Sequence, residues 1–179
     1  MPSNSHPVIE RVCPDFSLST PSGDAFGLQD LIKKNGLILV FTCNHCPYAR
    51  AIWERTVALY PEMERLEVGM AAINPNFNPN YPDDDEDGMI KLIDEYQVPF
   101  PYLSDKTQEI AKAYDAVCTP DIYYMDAERR LIYRGQLDDN WKDESAVRQE
   151  SLKNAVLAQI NGEAIGEQFP TISCSIKWV

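Results

Sequence analysis

The most reactive pair of side chains in this sequence is Cys43 and Cys46, which are separated by two residues. Two cysteines at this spacing can close a small disulfide ring and open it again by exchange with another disulfide. They follow the apolar run Leu37–Phe41 and precede a segment in which apolar residues recur at helical spacing. Because a continuous apolar run is typical of a strand buried on both faces of a sheet, we predict that the pair lies where a central strand meets a helix.

This position suggests different roles for the two sulfurs. We expect Cys43 to be the exposed nucleophile, because we predict it to lie nearer the helix N-terminus, where unpaired N–H groups and the helix dipole favour the thiolate. Cys46 would then resolve the mixed disulfide by attacking Cys43. His45, between them, can lower the pKa of the thiolate by donating a hydrogen bond or by its positive charge. The alternative for His45 is a solvent-facing ring with no effect.

Zinc binding is the second chemistry open to a Cys-x-x-Cys motif, and it needs four ligands in a closed tetrahedral site. The sequence has no second ligand pair, since Cys118 and Cys174 are single cysteines and the only other histidine is His6. A site made of Cys43, Cys46, Cys118 and Cys174 would depend on the fold. We therefore favour redox chemistry at the motif and predict neither a metal nor an organic cofactor.

The composition is that of a soluble globular protein, with 44% hydrophobic and 25% charged residues in a chain of 179. We predict a single domain over residues 1–179. The formal net charge of −12 would repel both a phosphate backbone and anionic lipids, so we expect neither a nucleic-acid nor a membrane partner. The first twenty residues lack a basic start followed by an apolar run, and no stretch approaches eighteen apolar residues, which predicts a cytoplasmic protein.

Hydrophobic periodicity and turn residues predict an α/β fold, with a central mixed sheet flanked by helices and an N-terminal hairpin. The predicted strands are 16–19 and 25–28 (the hairpin), 37–41, 68–73, 101–103, and a late antiparallel hairpin of 122–125 with 131–134. The predicted helices are 29–35, the one after the motif, 86–97, 107–115 and 145–160. The segment 74–85 is rich in Asn, Pro and Asp and is expected to be irregular; its first part can border the active site. The charge run 83–87 is interpreted as a solvated loop or an acidic first helical turn.

Several motifs together resemble the thioredoxin superfamily, specifically the redoxin-like branch related to alkyl hydroperoxide reductase and thiol-specific antioxidant proteins. The resemblance covers most of the chain. It rests on the segment CPDFSL at 13–18, the Cys-x-x-Cys motif after its strand, and the segment CTPD at 118–121 before the late hairpin. The resemblance implies a thioredoxin-like thiol-disulfide oxidoreductase that acts on protein or small-molecule disulfides and exchanges electrons with a reducing or oxidising partner. It also implies a cis peptide bond at Pro120 facing the motif, with the Thr119 backbone placed to bind an extended substrate segment.

Two features depart from the patterns of the superfamily. Asn44 and His45 stand where thioredoxin has Gly-Pro, which leaves the direction of electron flow open. Peroxiredoxins carry Thr or Ser three residues before the peroxidatic cysteine and Pro seven before it, whereas those positions are Val40 and Gly36 for Cys43, and Cys43 and Leu39 for Cys46. A thiol-dependent peroxidase is therefore the first alternative function. The second is a non-catalytic thioredoxin-fold binding module.

The remaining cysteines have open roles. Cys118 lies two residues before Pro120, so it is either a third redox thiol near the motif or a small buried hydrophobe. Cys174 lies in the C-terminal tail, where a resolving role or a bridge to Cys118 competes with a structural or idle thiol. Cys13 is interpreted as structural.

Overall fold

The computed structural model describes residues 11–179. His6 and the first half of the twenty N-terminal residues, which lack the pattern of a leader, lie outside the described residues. The strands are β1 (Ser17–Ser19), β2 (Ala25–Gly27), β3 (Leu37–Phe41), β4 (Gly69–Asn74), β5 (Tyr102–Ser104), β6 (Cys118–Thr119), β7 (Asp121–Met125), β8 (Leu131–Gly135) and β9 (Cys174–Ser175). The helices are α1 (Leu28–Leu31), α2 (Pro47–Arg65), α3 (Glu86–Tyr96), α4 (Glu109–Ala113) and α5 (Ser151–Ile160). In this described part, no helix combines the length and apolar character needed to cross a membrane.

Seven strands form one mixed sheet in the order β2-β1-β5-β4-β3-β7-β8. β3, β4 and β5 are parallel to one another, whereas β7 runs antiparallel to β3, and β8 antiparallel to β7. β1 and β2 form the predicted N-terminal hairpin, and β7 and β8 form the predicted late hairpin. The short strands β6 and β9 pair separately from the sheet. The predicted mixed sheet with flanking helices is confirmed.

β3 carries the motif and is buried on both faces, as predicted. Ile38 and Val40 face a core that includes residues of α2, α3 and α5. Leu37, Leu39 and Phe41 face the opposite core, which includes residues of α1 and α4. Each such side chain contributes about 1.5–3 kcal/mol by leaving water, so β3 is a firmly held support for the residues that follow it.

The predicted helix 145–160 is wrong at its start, since α5 begins only at Ser151. The Asp139 carboxylate accepts hydrogen bonds from the backbone N–H groups of Arg148 (2.8 Å) and Gln149 (3.1 Å). These bonds engage the backbone just before α5, while Asp143 caps a separate 3-10 turn at Glu144–Ala146. Local side-chain acceptors therefore compete with the helix at this point.

Smaller differences concern other element ends. α1 stops at Leu31 rather than residue 35, because the chain turns into a bridge between Lys33 and Gly36. α4 is two residues shorter at each end than predicted. The segment 74–85, expected to be irregular, contains a 3-10 turn at Pro82–Asp84, and this turn positions a buried acidic residue at the candidate site.

Candidate active site

The dithiol lies at the strand-to-helix junction, as predicted, but its two sulfurs are placed differently from expectation. Cys46, not Cys43, is the N-cap of α2, and Pro47 occupies the first helical position, for which its fixed φ is suited. The prediction that Cys43 lies nearer the helix N-terminus is therefore wrong. The expected exposure of Cys43 is also wrong, because Cys43 and Cys46 are both 0% exposed.

Cys46 lies at the N-cap of α2 and is surrounded by groups that favour its thiolate. Its neighbours are Cys43, Cys174 and the first helical turn with Tyr48 and Ala49. The interaction with Cys43 contributes most, and together these groups lower the pKa of Cys46 to about 5, although burial acts in the opposite direction. This direction favours the thiolate form of Cys46.

Cys43 shows the opposite effect. Its hydrogen bond to Cys46, its burial and the nearby Asp84 carboxylate together raise its pKa well above that of an ordinary thiol. Only Cys46 lies at the N-cap of α2, where the helix dipole favours a negative charge. This position and the opposite directions of the two pKa shifts favour the thiolate on Cys46 and the proton on Cys43.

Thr119 contacts both sulfurs from the opposite side. Its hydroxyl oxygen lies 3.2 Å from the Cys43 sulfur, and its carbonyl oxygen lies 3.5 Å from the Cys46 sulfur, to which the protonated form of Cys46 donates. The Thr119–Pro120 peptide bond is cis, as predicted. The segment implied by the resemblance therefore lies directly against the dithiol.

Asp84 is a central residue of the site that the sequence analysis missed. Its buried carboxylate accepts hydrogen bonds from the backbone N–H groups of Asn44 (2.7 Å) and His45 (3.1 Å), and it is paired with Nδ1 of the His45 ring. The loop between the two cysteines is thus anchored to the 3-10 turn. Because Asp84 belongs to an acidic run, sequence alone favoured a solvated loop.

His45 and Asn44 are both held by neighbouring elements. The His45 ring stacks on Tyr81 at 5.4 Å between centroids, and its Nδ1 is engaged by Asp84 rather than by a thiolate. The Asn44 side chain accepts a hydrogen bond from the Tyr102 hydroxyl (2.9 Å) and donates one to the Asp83 carbonyl (2.9 Å). The segment around Tyr81 therefore borders the site.

One group of metal-ligand atoms occurs at this site within residues 11–179. The Cys43 sulfur, a His45 ring nitrogen and an Asp84 carboxylate oxygen all lie within 4.8 Å of one another. This set differs from the four cysteines considered from the sequence, and it is one ligand short of a closed tetrahedral zinc site. The Asp84 carboxylate also already accepts bonds from two backbone N–H groups, so this geometry favours a positioning role for Asp84.

The other cysteines divide into two groups. Cys174 is half-buried and contacts the dithiol, and buried Cys118 is close enough for its charge to influence Cys174. The β6–β9 register pairs Cys174 with Thr119 and Cys118 with Ser175, so the two cysteines are not opposite one another. Cys13 is buried in the core that lies on the α1 and α4 side of the sheet, consistent with the structural interpretation.

The mixed sheet with flanking helices, the Cys-x-x-Cys at the start of a helix and the cis Thr119–Pro120 bond beside the two sulfurs are the features of a thioredoxin-like fold. Solved structures share this fold. One is a secreted Mycobacterium tuberculosis disulfide oxidoreductase homologous to E. coli DsbE, with a TM-score of 0.61 and 20% identity over 80% of this chain and 95% of that one. Another is the peroxidoxin BcpB from Mycobacterium tuberculosis, with a TM-score of 0.61 and 14% identity over 87% and 98% of the two chains. At these identities the likeness shows the fold.

The chain belongs to the AhpC/TSA family, which matches residues 9–134 and confirms the predicted family. An uncharacterized conserved protein from Geobacillus kaustophilus is 38% identical, with a TM-score of 0.91 over 99% of this chain and 95% of that one. A hypothetical protein from Sinorhizobium meliloti is 34% identical, with a TM-score of 0.91 over 99% and 97% of the two chains. No curated protein matches this chain in sequence. The family and the fold together support a redox enzyme.

Proposed function

We propose that this chain is a thiol-disulfide oxidoreductase in which Cys46 and Cys43 form the dithiol/disulfide couple. The observation that carries the proposal is the position of Cys46 at the N-cap of α2, where the helix dipole favours a thiolate, together with its packing against Cys43. A stabilised thiolate in contact with a second thiol is the arrangement that disulfide exchange needs.

The reaction has two exchange steps. The Cys46 thiolate attacks one sulfur of a substrate disulfide, so that a mixed disulfide forms and the first substrate thiolate leaves. Cys43 then loses its proton and attacks the Cys46 sulfur, which closes the Cys43–Cys46 bond and releases the second substrate thiolate. Two electrons pass to the substrate; one of its thiolates takes up the proton that Cys43 lost, and the other is protonated from solvent. These roles are the reverse of those expected from sequence, because the helix begins after Cys46.

Neighbouring residues position this couple. Asp84 holds the backbone between the two cysteines, and His45 acts through its contact with Asp84. The Thr119 backbone is the proposed binding element for an extended substrate, since it contacts the dithiol and pairs as a strand, in this structure with β9. Protein or small-molecule disulfides are the proposed substrates. A reducing or an oxidising partner protein or small molecule would complete the cycle. The cytoplasmic location stays a prediction.

A small-disulfide turnover assay tests this function. Hydroxyethyl disulfide serves as substrate with dithiothreitol as the recycling reductant, and a buried cysteine away from the site, Cys13, provides the matched control. We expect Cys46→Ser to abolish turnover above the uncatalysed rate. Without dithiothreitol, the double variant Cys43→Ser/Cys174→Ser, which lacks both thiols that contact Cys46, should accumulate a mixed disulfide on Cys46. Cys13→Ser should keep the wild-type rate. Turnover by Cys46→Ser at the wild-type rate would exclude the assigned roles, and a wild-type protein no faster than buffer would support a binding module instead.

Peroxide reduction is a second candidate, favoured by the same Cys46 thiolate. Hydrogen peroxide would convert it to a sulfenic acid, and Cys43 would then form the disulfide and release water. The positions three and seven residues before Cys46 are Cys43 and Leu39, not the peroxiredoxin residues. Stopped-flow consumption of peroxide separates the candidates, because a rate constant no greater than that of a free thiolate would dismiss peroxidase activity.

A further inference from the structure

The C-terminal tail, residues 174–179, lies against the candidate active site. Its first two residues form β9, which pairs antiparallel with β6 so that Cys174 is opposite Thr119. The pairing continues with the Ile176 N–H, which donates to the Val117 carbonyl at 2.9 Å. The Ile176 side chain is buried in the core on the α1 and α4 side. The start of the tail is therefore paired with β6 and packed into the core at this edge of the site.

Polar side chains from two neighbouring segments fix the rest of the tail. Gln108 donates to the Lys177 carbonyl (2.9 Å) and accepts from the Val179 N–H (3.0 Å). Asn76 accepts from the Lys177 N–H (3.0 Å), and Asn78 donates to the Trp178 carbonyl (3.0 Å). All four bonds are made to the backbone of the tail between Lys177 and Val179.

Two consequences follow for the dithiol. An extended substrate that pairs with Thr119 needs the place that the tail occupies, so the tail and such a substrate compete. The tail also places its own sulfur against the dithiol, since Cys174 packs against the buried Cys43 and Cys46 and is paired with Thr119. Cys174 is half-buried, whereas Cys43 and Cys46 are fully buried.

We propose that Cys174 is an internal exchange partner of Cys46, and that the tail relays the disulfide from the buried pair to a more accessible sulfur. This inference rests on the proposed function. The Cys174 thiolate attacks the Cys46 sulfur of the Cys43–Cys46 disulfide; the Cys46–Cys174 bond forms and the Cys43–Cys46 bond breaks. Cys43 leaves as a thiolate and takes the proton that Cys174 lost, so no external oxidant or reductant is needed.

The next step returns the protein to its reduced form. A thiol of an external dithiol reductant attacks the Cys174 sulfur, forms a mixed disulfide with it and expels Cys46 as a thiolate. The second thiol of the reductant then attacks the first, releasing Cys174 and leaving the reductant oxidised. Cys46 is the favoured leaving group, because it lies at the N-cap of α2, where the helix dipole favours its thiolate.

The test uses Cys43→Ser, in which only Cys174 remains opposite Cys46. Glutathione disulfide is added, free thiols are blocked with acid and alkylating agent, and bonds are mapped by mass spectrometry of peptides. We expect glutathione to be displaced from Cys46 and an intramolecular Cys46–Cys174 bond to accumulate. The adduct on Cys46 should decay at least about tenfold faster than in the double variant Cys43→Ser/Cys174→Ser, because the attacking thiol is held in place. The matched control Cys43→Ser/Cys118→Ser should behave as Cys43→Ser.

The outcomes separate the inference from the proposed function. The relay is overturned if the glutathione adduct persists equally with and without Cys174. It is also overturned if Cys43→Ser forms neither the glutathione adduct on Cys46 nor the Cys46–Cys174 bond. If wild type at the same time forms the Cys43–Cys46 disulfide, the proposed function stands alone. If wild type does not form that disulfide but Cys43→Ser forms Cys46–Cys174, the exchange partner is supported and the proposed couple is wrong. Detection of the Cys46–Cys174 peptide in oxidised wild type supports the relay without any substitution.

Discussion

Replacing Asp84 by Asn tests whether this buried carboxylate holds the reactive loop together. The carboxylate accepts bonds from the Asn44 and His45 backbone N–H groups and from the His45 ring, and it is 0% exposed. A hydrogen bond to a charged group contributes about 1.5–3 kcal/mol, and the amide keeps one acceptor oxygen while its NH₂ faces a former donor. The loss of one or two of the three bonds predicts a fall of about 1.5–6 kcal/mol in the free energy of unfolding.

Urea unfolding of the reduced protein, followed by fluorescence, measures this loss. Asp83→Asn is the matched control, because the Asp83 side chain is exposed and its contact with Asn44 uses the backbone carbonyl, which the substitution keeps. The control should lie within about 0.5 kcal/mol of wild type. If Asp84→Asn loses no more stability than Asp83→Asn, the anchoring role of Asp84 is refuted.

Two further substitutions test contacts near the site. Arg134→Met removes the guanidinium from a buried ion pair with Asp121 (2.6 Å), and it should cost about 3–5 kcal/mol in urea unfolding; a loss below 1 kcal/mol would contradict the role of this pair. Gly88→Ala places a Cβ 2.0 Å from the Asp83 carbonyl, so α3 must shift from the turn that carries Asp84, and about 1–3 kcal/mol should be lost. Gly166→Ala, which meets no atom within 4 Å, is the control, and equal losses in the two alanine variants would argue against the close approach.

The sequence was sufficient to predict the support of the site. The apolar run of β3 has no polar interruption, so its burial on both faces is a local property of the pattern. The helix after the motif and the late hairpin are equally local, since apolar periodicity and turn residues mark them. The cis bond at Pro120 was predicted from the family resemblance rather than from propensity, because most X-Pro bonds are trans.

The chemistry of the site was less predictable, because it depends on small shifts and distant contacts. Whether Cys43 or Cys46 lies at the N-terminus of α2 depends on where this helix begins, and element ends are the least certain part of a sequence pattern. Asp84 is forty residues from Asn44 in sequence, and an acidic run carries no sign that one member is buried. The docking of Cys174 depends on a pairing between β6 and β9, for which two residues give no periodicity.

The central claim is that Cys46, not Cys43, is the thiolate of the reduced protein, and the pH dependence of alkylation tests it most directly. Reduced wild-type protein is treated with iodoacetamide from pH 4 to pH 9, and the modified cysteine is identified by peptide mass spectrometry. Since only the thiolate reacts, Cys46 should be labelled first, at a constant rate above its pKa of about 5 and a falling rate below it. Burial slows the reaction at every pH without moving this midpoint. Labelling of Cys43 before Cys46, or a Cys46 midpoint near the value of about 8.5 of an ordinary thiol, would contradict the account.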